Sequence, residues 1–190
     1  MVEQKTLRRD ARENTEKLHA AALEIFSARG LAAPLEDIAR HAGVSIGTLY
    51  NRIGSREALI DAVIPAVAGA KLKDLTHRAL EEHSSRGRLE RFVSGMIDLQ
   101  LEDPVMNDAM LRRFPDATAL INACTRSIEL GSDLVDDAHR DGSLSPDFTH
   151  DDLMAILWMA GTTSREPNAP PGWRRVLDRS LAEAWTTSSP

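Results

Sequence analysis

The residues with the greatest capacity for chemistry lie between positions 45 and 56. Their side chains are short or carry hydroxyl, amide, phenol or guanidinium groups, which can hydrogen-bond phosphate oxygens and base edges. No aspartate or glutamate occurs between Asp37 and Glu57, where an acid would repel phosphate. The pattern predicts a nucleic-acid-binding face formed by Ser45, Ile46, Gly47, Thr48, Tyr50, Asn51 and Arg52.

The elements that must position this face are two short helices, predicted at about 35–41 and 45–52. Ala39 is small enough to let the two helices cross closely, and Gly43 can take the positive φ that a tight turn requires. Leu49, six residues after that glycine, anchors the second helix to the first. A plain helical hairpin that packs against another protein is the alternative, but the spacing favours a DNA-reading helix-turn-helix.

The whole chain is predicted to be all-α, because no stretch alternates apolar and polar residues for long enough to form a strand. A basic, mobile arm is expected before the first helix, and a frayed tail is expected at 186–190. Pro65 is expected to kink or break the fourth helix near its end. The predicted helices span about 10–29, 35–41, 45–52, 56–68, 70–83, 87–102, 104–113, 116–140, 149–164 and 173–187.

Charge and composition narrow the cellular location of the protein and the kind of partner it can bind. The net charge is −6, but residues 1–60 carry nine Lys/Arg against eight Asp/Glu, so the acidity lies in the remainder of the chain. A few well-placed cations suffice to contact phosphate. The single cysteine, Cys124, excludes an internal disulfide, and no run of 18 apolar residues is present. These features predict a cytoplasmic protein without a membrane partner.

Five short motifs carry a resemblance to a known family. They are Ala-Leu-Glu-Ile-Phe, Arg-Gly-Leu, Glu-Asp-Ile-Ala, Ala-Gly-Val-Ser-Ile-Gly-Thr-Leu-Tyr and Ser-Arg-Glu-Ala-Leu, all within residues 18–59. This segment resembles the TetR family of bacterial transcriptional repressors. The resemblance implies an N-terminal three-helix helix-turn-helix domain, placed at 1–58, and a C-terminal helical effector-binding and dimerisation domain, placed at 59–190.

The resemblance also implies roles for single residues. Ile46, Gly47 and Thr48 occupy places that face base edges in the major groove. Tyr50 and Arg52 occupy places that contact phosphate. Arg56 stands where the family usually has a lysine that touches the DNA backbone.

Two departures from the family pattern affect these roles. Pro34 replaces the threonine or serine that often caps the second helix, and Ile53 replaces an aromatic residue. Since Ile46 and Gly47 offer few bidentate contacts to bases, we expect phosphate contacts and DNA shape to provide much of the affinity.

The last two predicted helices carry apolar stripes with small residues among them. These stripes could form the core of one chain, but the family resemblance implies a four-helix bundle between two copies. Two recognition helices would then reach successive major-groove turns. The stripes are Leu153, Ile156, Leu157, Ala160 and Gly161, and Trp173, Val176, Leu177, Leu181, Ala184 and Trp185.

The middle helices are expected to enclose a pocket for an unknown, mostly apolar effector that releases the repressor from its operator. Methionine and other adaptable apolar side chains suit such a pocket, although they also fill cores. The candidate lining residues are Met96, Leu99, Met106, Met110, Phe114, Cys124, Ile128, Trp158, Met159 and Thr162.

Two other classes of protein remain as alternatives. A metal-dependent enzyme or metal sensor could use Asp136, His139, His150 and Asp151, if they folded together. An adaptor that keeps the fold could bind protein only. The acids near residue 150 fit helix-capping and first-turn positions better than metal ligation, so we expect no catalytic activity, metal or cofactor.

Overall fold

The computed structural model describes the backbone of residues 2–185 and the side chains of residues 12–185. That part of the chain is helical, apart from loops and one isolated antiparallel bridge between Leu144 and Trp185, so the prediction of an all-α fold is confirmed. The helices are α1 (Val2–Arg29), α2 (Leu35–His41), α3 (Ile46–Ile53), α4 (Arg56–Val63), α5 (Pro65–Leu80), α6 (Ser85–Glu102), α7 (Pro104–Met110), α8 (Thr118–Arg140), α9 (His150–Thr163) and α10 (Trp173–Glu183).

Helix ends differ from the predicted ones where local signals are weak. The fourth helix ends at Val63, and Pro65 opens α5, because proline lacks the N–H that an interior helical position would need. The backbone of α1 is already helical at Val2, where a mobile arm was expected. Helix α10 ends at Glu183, and the tail at 186–190 lies outside the described residues.

The chain divides into two compact units. The first comprises Met1–Ala68 and Asp103–Ala123, and the second comprises Gly69–Glu102 and Cys124–Pro190. The first unit therefore contains the helix-turn-helix and also a segment from much later in the sequence. These two units are defined by packing within the chain. The predicted boundary at residue 58 between a DNA-binding domain and an effector-binding domain concerns function, and it stays a prediction.

The core of the first unit forms around α1, which packs against α2, α3, α4 and α7. Leu18, Ala22 and Phe26 lie at four-residue spacing on one side of α1, and all three are fully buried. The helical spacing of apolar residues in the sequence predicts this face.

Two carboxylates join the later segment of the first unit to its early helices. Asp61 on α4 accepts hydrogen bonds from the backbone N–H groups of Ala119, at 3.1 Å, and Leu120, at 3.0 Å. These N–H groups lie in the first turn of α8, where helical N–H groups have no partner within the helix. Asp108 on α7 accepts a hydrogen bond from the backbone N–H of Leu31 at 2.8 Å.

In the second unit, α6 packs against α9, and α9 packs against α10. Gly131 on α8 marks a close approach, since a Cβ there would lie 2.9 Å from Cε1 of Phe92 and 3.2 Å from Cδ2 of Leu153. Of the described helices, none is both long and apolar enough to cross a membrane.

Candidate nucleic-acid interface

The turn between α2 and α3 is built on Gly43, as the spacing predicts. Gly43 has a φ of +70°, a conformation that residues with a Cβ rarely adopt. The backbone N–H of Val44 closes the turn by donating to the carbonyl of Ala39 at 3.0 Å. The turn therefore fixes the direction in which α3 leaves α2.

Helix α3 is capped at its start and anchored from within. The Ser45 hydroxyl accepts a hydrogen bond from the backbone N–H of Thr48 at 3.1 Å, and it lies 2.9 Å from the Thr48 hydroxyl. Leu49 is fully buried, as predicted for the anchor of this helix. The two hydroxyls are thus hydrogen-bonded to each other, which leaves each of them fewer hydrogen bonds to form with DNA.

The side of α3 opposite Leu49 faces outward. Gly47, Tyr50, Asn51 and Arg52 are exposed, with 50% of the Tyr50 surface accessible, whereas Ile46 and Thr48 are half-buried. A Cβ added at Gly47 would have only the Ser45 hydroxyl within 4 Å, at 3.8 Å. Seven of the eight predicted DNA-binding residues therefore lie on or beside this helix, with an open space at Gly47.

Arg56 forms hydrogen bonds within the protein. Nη1 of its half-buried guanidinium donates to the carbonyl oxygens of Leu31, at 2.7 Å, and Ala33, at 2.6 Å. These bonds hold the loop between α1 and α2. The phosphate contact that the family resemblance implies for Arg56 stays a prediction, and the packing role was not anticipated from the sequence.

Two of the acidic groups that precede α3, Asp37 and Glu24, have basic side chains beside them. Arg29 lies 2.6 Å from the Asp37 carboxylate, and Arg40 also contacts it. The hydrogen bond from Arg29, with further attraction from Arg40, holds the pKa of Asp37 below its usual value. His41 lies 2.7 Å from the Glu24 carboxylate. The nearest acid before α3 is therefore ion-paired.

Comparison with known proteins identifies the family. A family model described as bacterial regulatory proteins of the TetR family matches residues 18–63. A TetR transcriptional regulator from Streptomyces coelicolor is 32% identical over 91% of this chain and 99% of its own, with a TM-score of 0.50. This chain belongs to the TetR family. The predicted resemblance is confirmed, and the TetR fold supports a DNA-binding transcriptional regulator.

Two further solved structures share the fold at lower identity. The ketosteroid transcriptional regulator KstR2 of Mycobacterium tuberculosis is 19% identical over 91% of this chain and 95% of its own, with a TM-score of 0.58. A TetR-family regulatory protein from Rhodococcus is 18% identical over 90% of this chain and 94% of its own, with a TM-score of 0.62. The comparison with curated proteins finds no match.

The predicted effector-pocket residues of this TetR-family chain fall in both compact units. Met106, Met110 and Phe114 belong to the first unit, and the other seven belong to the second. Met96, Met106 and Cys124 are buried. Trp158 and Met159 are instead largely exposed on α9, at 58% and 46%. The partly buried members are Leu99, Met110, Phe114, Ile128 and Thr162.

Gln100 is a buried polar residue that the sequence reasoning missed. It lies on α6 in the second unit and is fully buried, and its Nε2 donates to the carbonyl of Leu157 on α9 at 3.2 Å. Within the described structure its Oε1 has no hydrogen-bond partner. A buried acceptor of this kind costs free energy until it meets a donor. The signal in the sequence was a glutamine among the apolar positions of α6.

The residues of the alternative metal site gather only in part. His150 Nε2 lies 2.9 Å from Asp136 Oδ1, but His139 Nε2 instead lies 3.1 Å from the carbonyl of Ser145. Among the described residues, no three His, Cys, Asp or Glu side chains form a group that could hold a metal ion. Asp152 forms a capping box with Thr149, whose hydroxyl and backbone N–H lower the pKa of this carboxyl.

We expect Gly47→Ala to increase the stability of the protein and to weaken its binding to DNA. The added methyl has open space in the free protein, and alanine should raise the free energy of unfolding by about 0.5–1 kcal/mol. In a groove-facing position the same methyl should weaken binding about tenfold, since overpacking costs roughly 1–3 kcal/mol. The measurement is fluorescence anisotropy on a duplex that the unmodified protein selects from random-sequence DNA, hereafter the selected duplex, together with urea unfolding.

The matched control is Gly69→Ala on α5, where an added Cβ would meet nothing within 4 Å. It should show a similar gain in stability and unchanged affinity. Equal affinities of the two variants for the selected duplex would contradict the placement of Gly47 against DNA.

Proposed function

We propose that the protein is a homodimeric repressor that binds operator DNA through α3 and leaves it when a small, mostly apolar molecule binds. The observation that carries DNA binding is the outer face of α3, which is exposed, lacks acids and includes Arg52. Its inner face is fixed by the buried Leu49. An α-helix with one bare polar face fits the major groove of B-DNA.

Direct reading of bases by this face is modest in the proposed complex. Gly47 has no side chain, and the hydroxyls of Ser45 and Thr48 lie 2.9 Å apart, within hydrogen-bond distance of each other. We assign Tyr50 and Arg52 to phosphate contacts, which set register and affinity without reading sequence. Asn51 is the exposed side chain best able to pair with an adenine edge.

The dimer is proposed to form through α9 and α10. Trp158 on α9 and Val176 on α10 are large apolar residues with 58% and 54% of their surface exposed. Val176 lines a groove of about 940 Å³, whose walls also include Met159, Trp173 and Leu177. Exposed apolar surface of this extent is typical of an interface, and a two-fold dimer would cover the same patch on both copies.

The effector is proposed to be mostly apolar with one hydrogen-bond donor. Buried Met96 and Cys124 in the second unit favour an apolar body. The unpartnered Oε1 of Gln100 favours a hydroxyl or N–H group that would satisfy it. The regulator of Mycobacterium tuberculosis is named for ketosteroids, but its likeness concerns the fold, so this inference rests on the present chain alone.

Salt dependence tests DNA binding and its phosphate component. The unmodified protein should enrich a duplex from random-sequence DNA and bind it with a steep fall in affinity as salt rises. Arg52→Ala should reduce the slope of log K against log salt by about 0.9 for each phosphate that the variant no longer neutralises. Arg78→Ala on α5 serves as the control and should leave the slope unchanged. Failure to enrich any duplex would overturn DNA binding, and a shallow slope would overturn the phosphate-dominated mode.

Sedimentation velocity at micromolar concentration tests the dimer. Val176→Asp should raise the dissociation constant of the dimer by at least about 100-fold, because burying an unpaired carboxylate costs several kcal/mol. Leu80→Asp on α5 replaces a residue of similar exposure, 48%, and should remain dimeric. A monomeric unmodified protein would contradict the proposal, and so would a dimer that tolerates aspartate at 176.

Matched pairs of small molecules test the effector. Naphthalene and 2-naphthol differ by one hydroxyl, and the naphthol should release the selected duplex at a roughly fivefold lower concentration, since a neutral hydrogen bond contributes about 1 kcal/mol. Gln100→Met should remove this difference while leaving affinity for the duplex intact. Equal release by both compounds from the unmodified protein would exclude Gln100 as the polar contact.

A further inference from the structure

The start of α2 lacks the side-chain cap that α3 and α4 have. Ser45 and Ser55 cap α3 and α4 by accepting backbone N–H groups, whereas Pro34 precedes α2 and makes no side-chain cap. Helix α2 has only seven residues, so its packing must fix where it begins. The loop of residues 30–34, which leads into α2, therefore needs another support.

Two charged side chains from different helices hold this loop. The Arg56 guanidinium on α4 donates to the carbonyls of Leu31 and Ala33, at 2.7 and 2.6 Å. The Asp108 carboxylate on α7 accepts the N–H of Leu31 at 2.8 Å. The two polar groups of the Leu31 backbone are thus bound from two sides, and the Leu31 residue itself is fully buried.

The contact between Asp108 and the loop is closely fitted. Asp108 is 8% exposed, and its Oδ1 lies 3.5 Å from Nε of Arg113. A Cβ at Gly30 would lie 2.7 Å from Asp108 Oδ2, and Gly30 has a φ of +82°. Only glycine satisfies both the conformation and the space at this position. A hydrogen bond to a buried carboxylate is stronger than one between neutral groups.

We propose that Asp108 is a positioning residue for DNA binding, although it lies 52 residues beyond Arg56 and belongs to α7 rather than to the helix-turn-helix. By accepting the N–H of Leu31, Asp108 fixes the position of the loop before α2, and the loop fixes where α2 begins. Because the turn at Gly43 joins α2 to α3, the position of α2 then determines the position of α3. Asp108 thus supports the loop that leads into α2, a helix for which Pro34 provides no side-chain cap. The inference rests on the proposed function, because its consequence is measured as affinity for DNA.

The experiment compares Asp108→Ala, Asp108→Asn and Leu120→Ala in the full chain. Leu120 is a buried residue of the same segment that lies outside the loop, and its truncation provides a destabilised control. Affinity for the selected duplex is measured by anisotropy at a temperature where circular dichroism shows every variant folded. Hydrogen exchange of the Leu31 amide is measured in parallel on the free proteins.

Asp108→Ala should weaken binding at least about fivefold, because a hydrogen bond to a charged group is stronger than one between neutral groups. Asp108→Asn keeps an acceptor and should weaken binding less, and Leu120→Ala should keep full affinity. Relative to the slowest-exchanging amides of the same variant, the Leu31 amide should exchange faster in Asp108→Ala, less so in Asp108→Asn, and not in Leu120→Ala.

Each failure has a distinct meaning. If the unmodified protein selects no duplex, the proposed function falls and the role of Asp108 falls with it. If the duplex is selected but Asp108→Ala binds it as tightly as the unmodified protein, the positioning role alone is overturned. An equal weakening in Leu120→Ala would also overturn it, since the effect would then be general destabilisation.

Discussion

The burial of Leu49 is the contact on which the outer face of α3 depends. A helix of eight residues does not persist alone in water. Helix α3 keeps its shape because one apolar side packs against α1 and α2 and because Ser45 caps its first turn. Since that side is used for packing, the residues on the opposite side require no partner within the protein. The same contact therefore holds the helix together and leaves its polar face available.

The first unit depends on contacts between segments far apart in sequence. Asp61 and Asp108 each accept backbone N–H groups from the other part of the unit, across 58 or 59 residues in one case and 77 in the other. For Asp108, which is 8% exposed, such a donor replaces part of the hydration that the carboxylate loses on burial. These bonds also satisfy N–H groups at a helix start and in a buried loop, which would otherwise be costly. The segment 103–123 is thus joined by hydrogen bonds to α4 and to the loop before α2.

The sequence predicts the parts of this structure that local rules determine. Gly43 and Leu49 follow from turn chemistry and periodicity, and both take the expected roles. The caps that Ser45 and Ser55 provide agree with the general preference for serine at helix starts. Even the absence of a side-chain cap at Pro34 could be predicted, because proline has no acceptor in its side chain.

Other features depend on distant neighbours and could not be predicted in the same way. The partners of Arg56 and Asp108 are fixed by tertiary packing, and one sequence alone contains no signal for that pairing. The apolar character of α9 predicts burial of its residues, but it does not distinguish the side that packs on α6 from the side that carries Trp158. An apolar stripe has the same pattern whether its partner lies within the chain or in another molecule.

The sparse set of base-reading groups on α3 makes the position of that helix more important. A protein that reads many base edges has additional contacts that set the register of its recognition helix. Phosphates recur along the duplex with a fixed spacing, so a displaced α3 would move several phosphate-binding groups out of register together. In the proposed dimer the two copies of α3 must also match successive major-groove turns, about 34–36 Å apart. Residues that never touch DNA, such as those holding the loop before α2, then contribute to affinity through geometry alone.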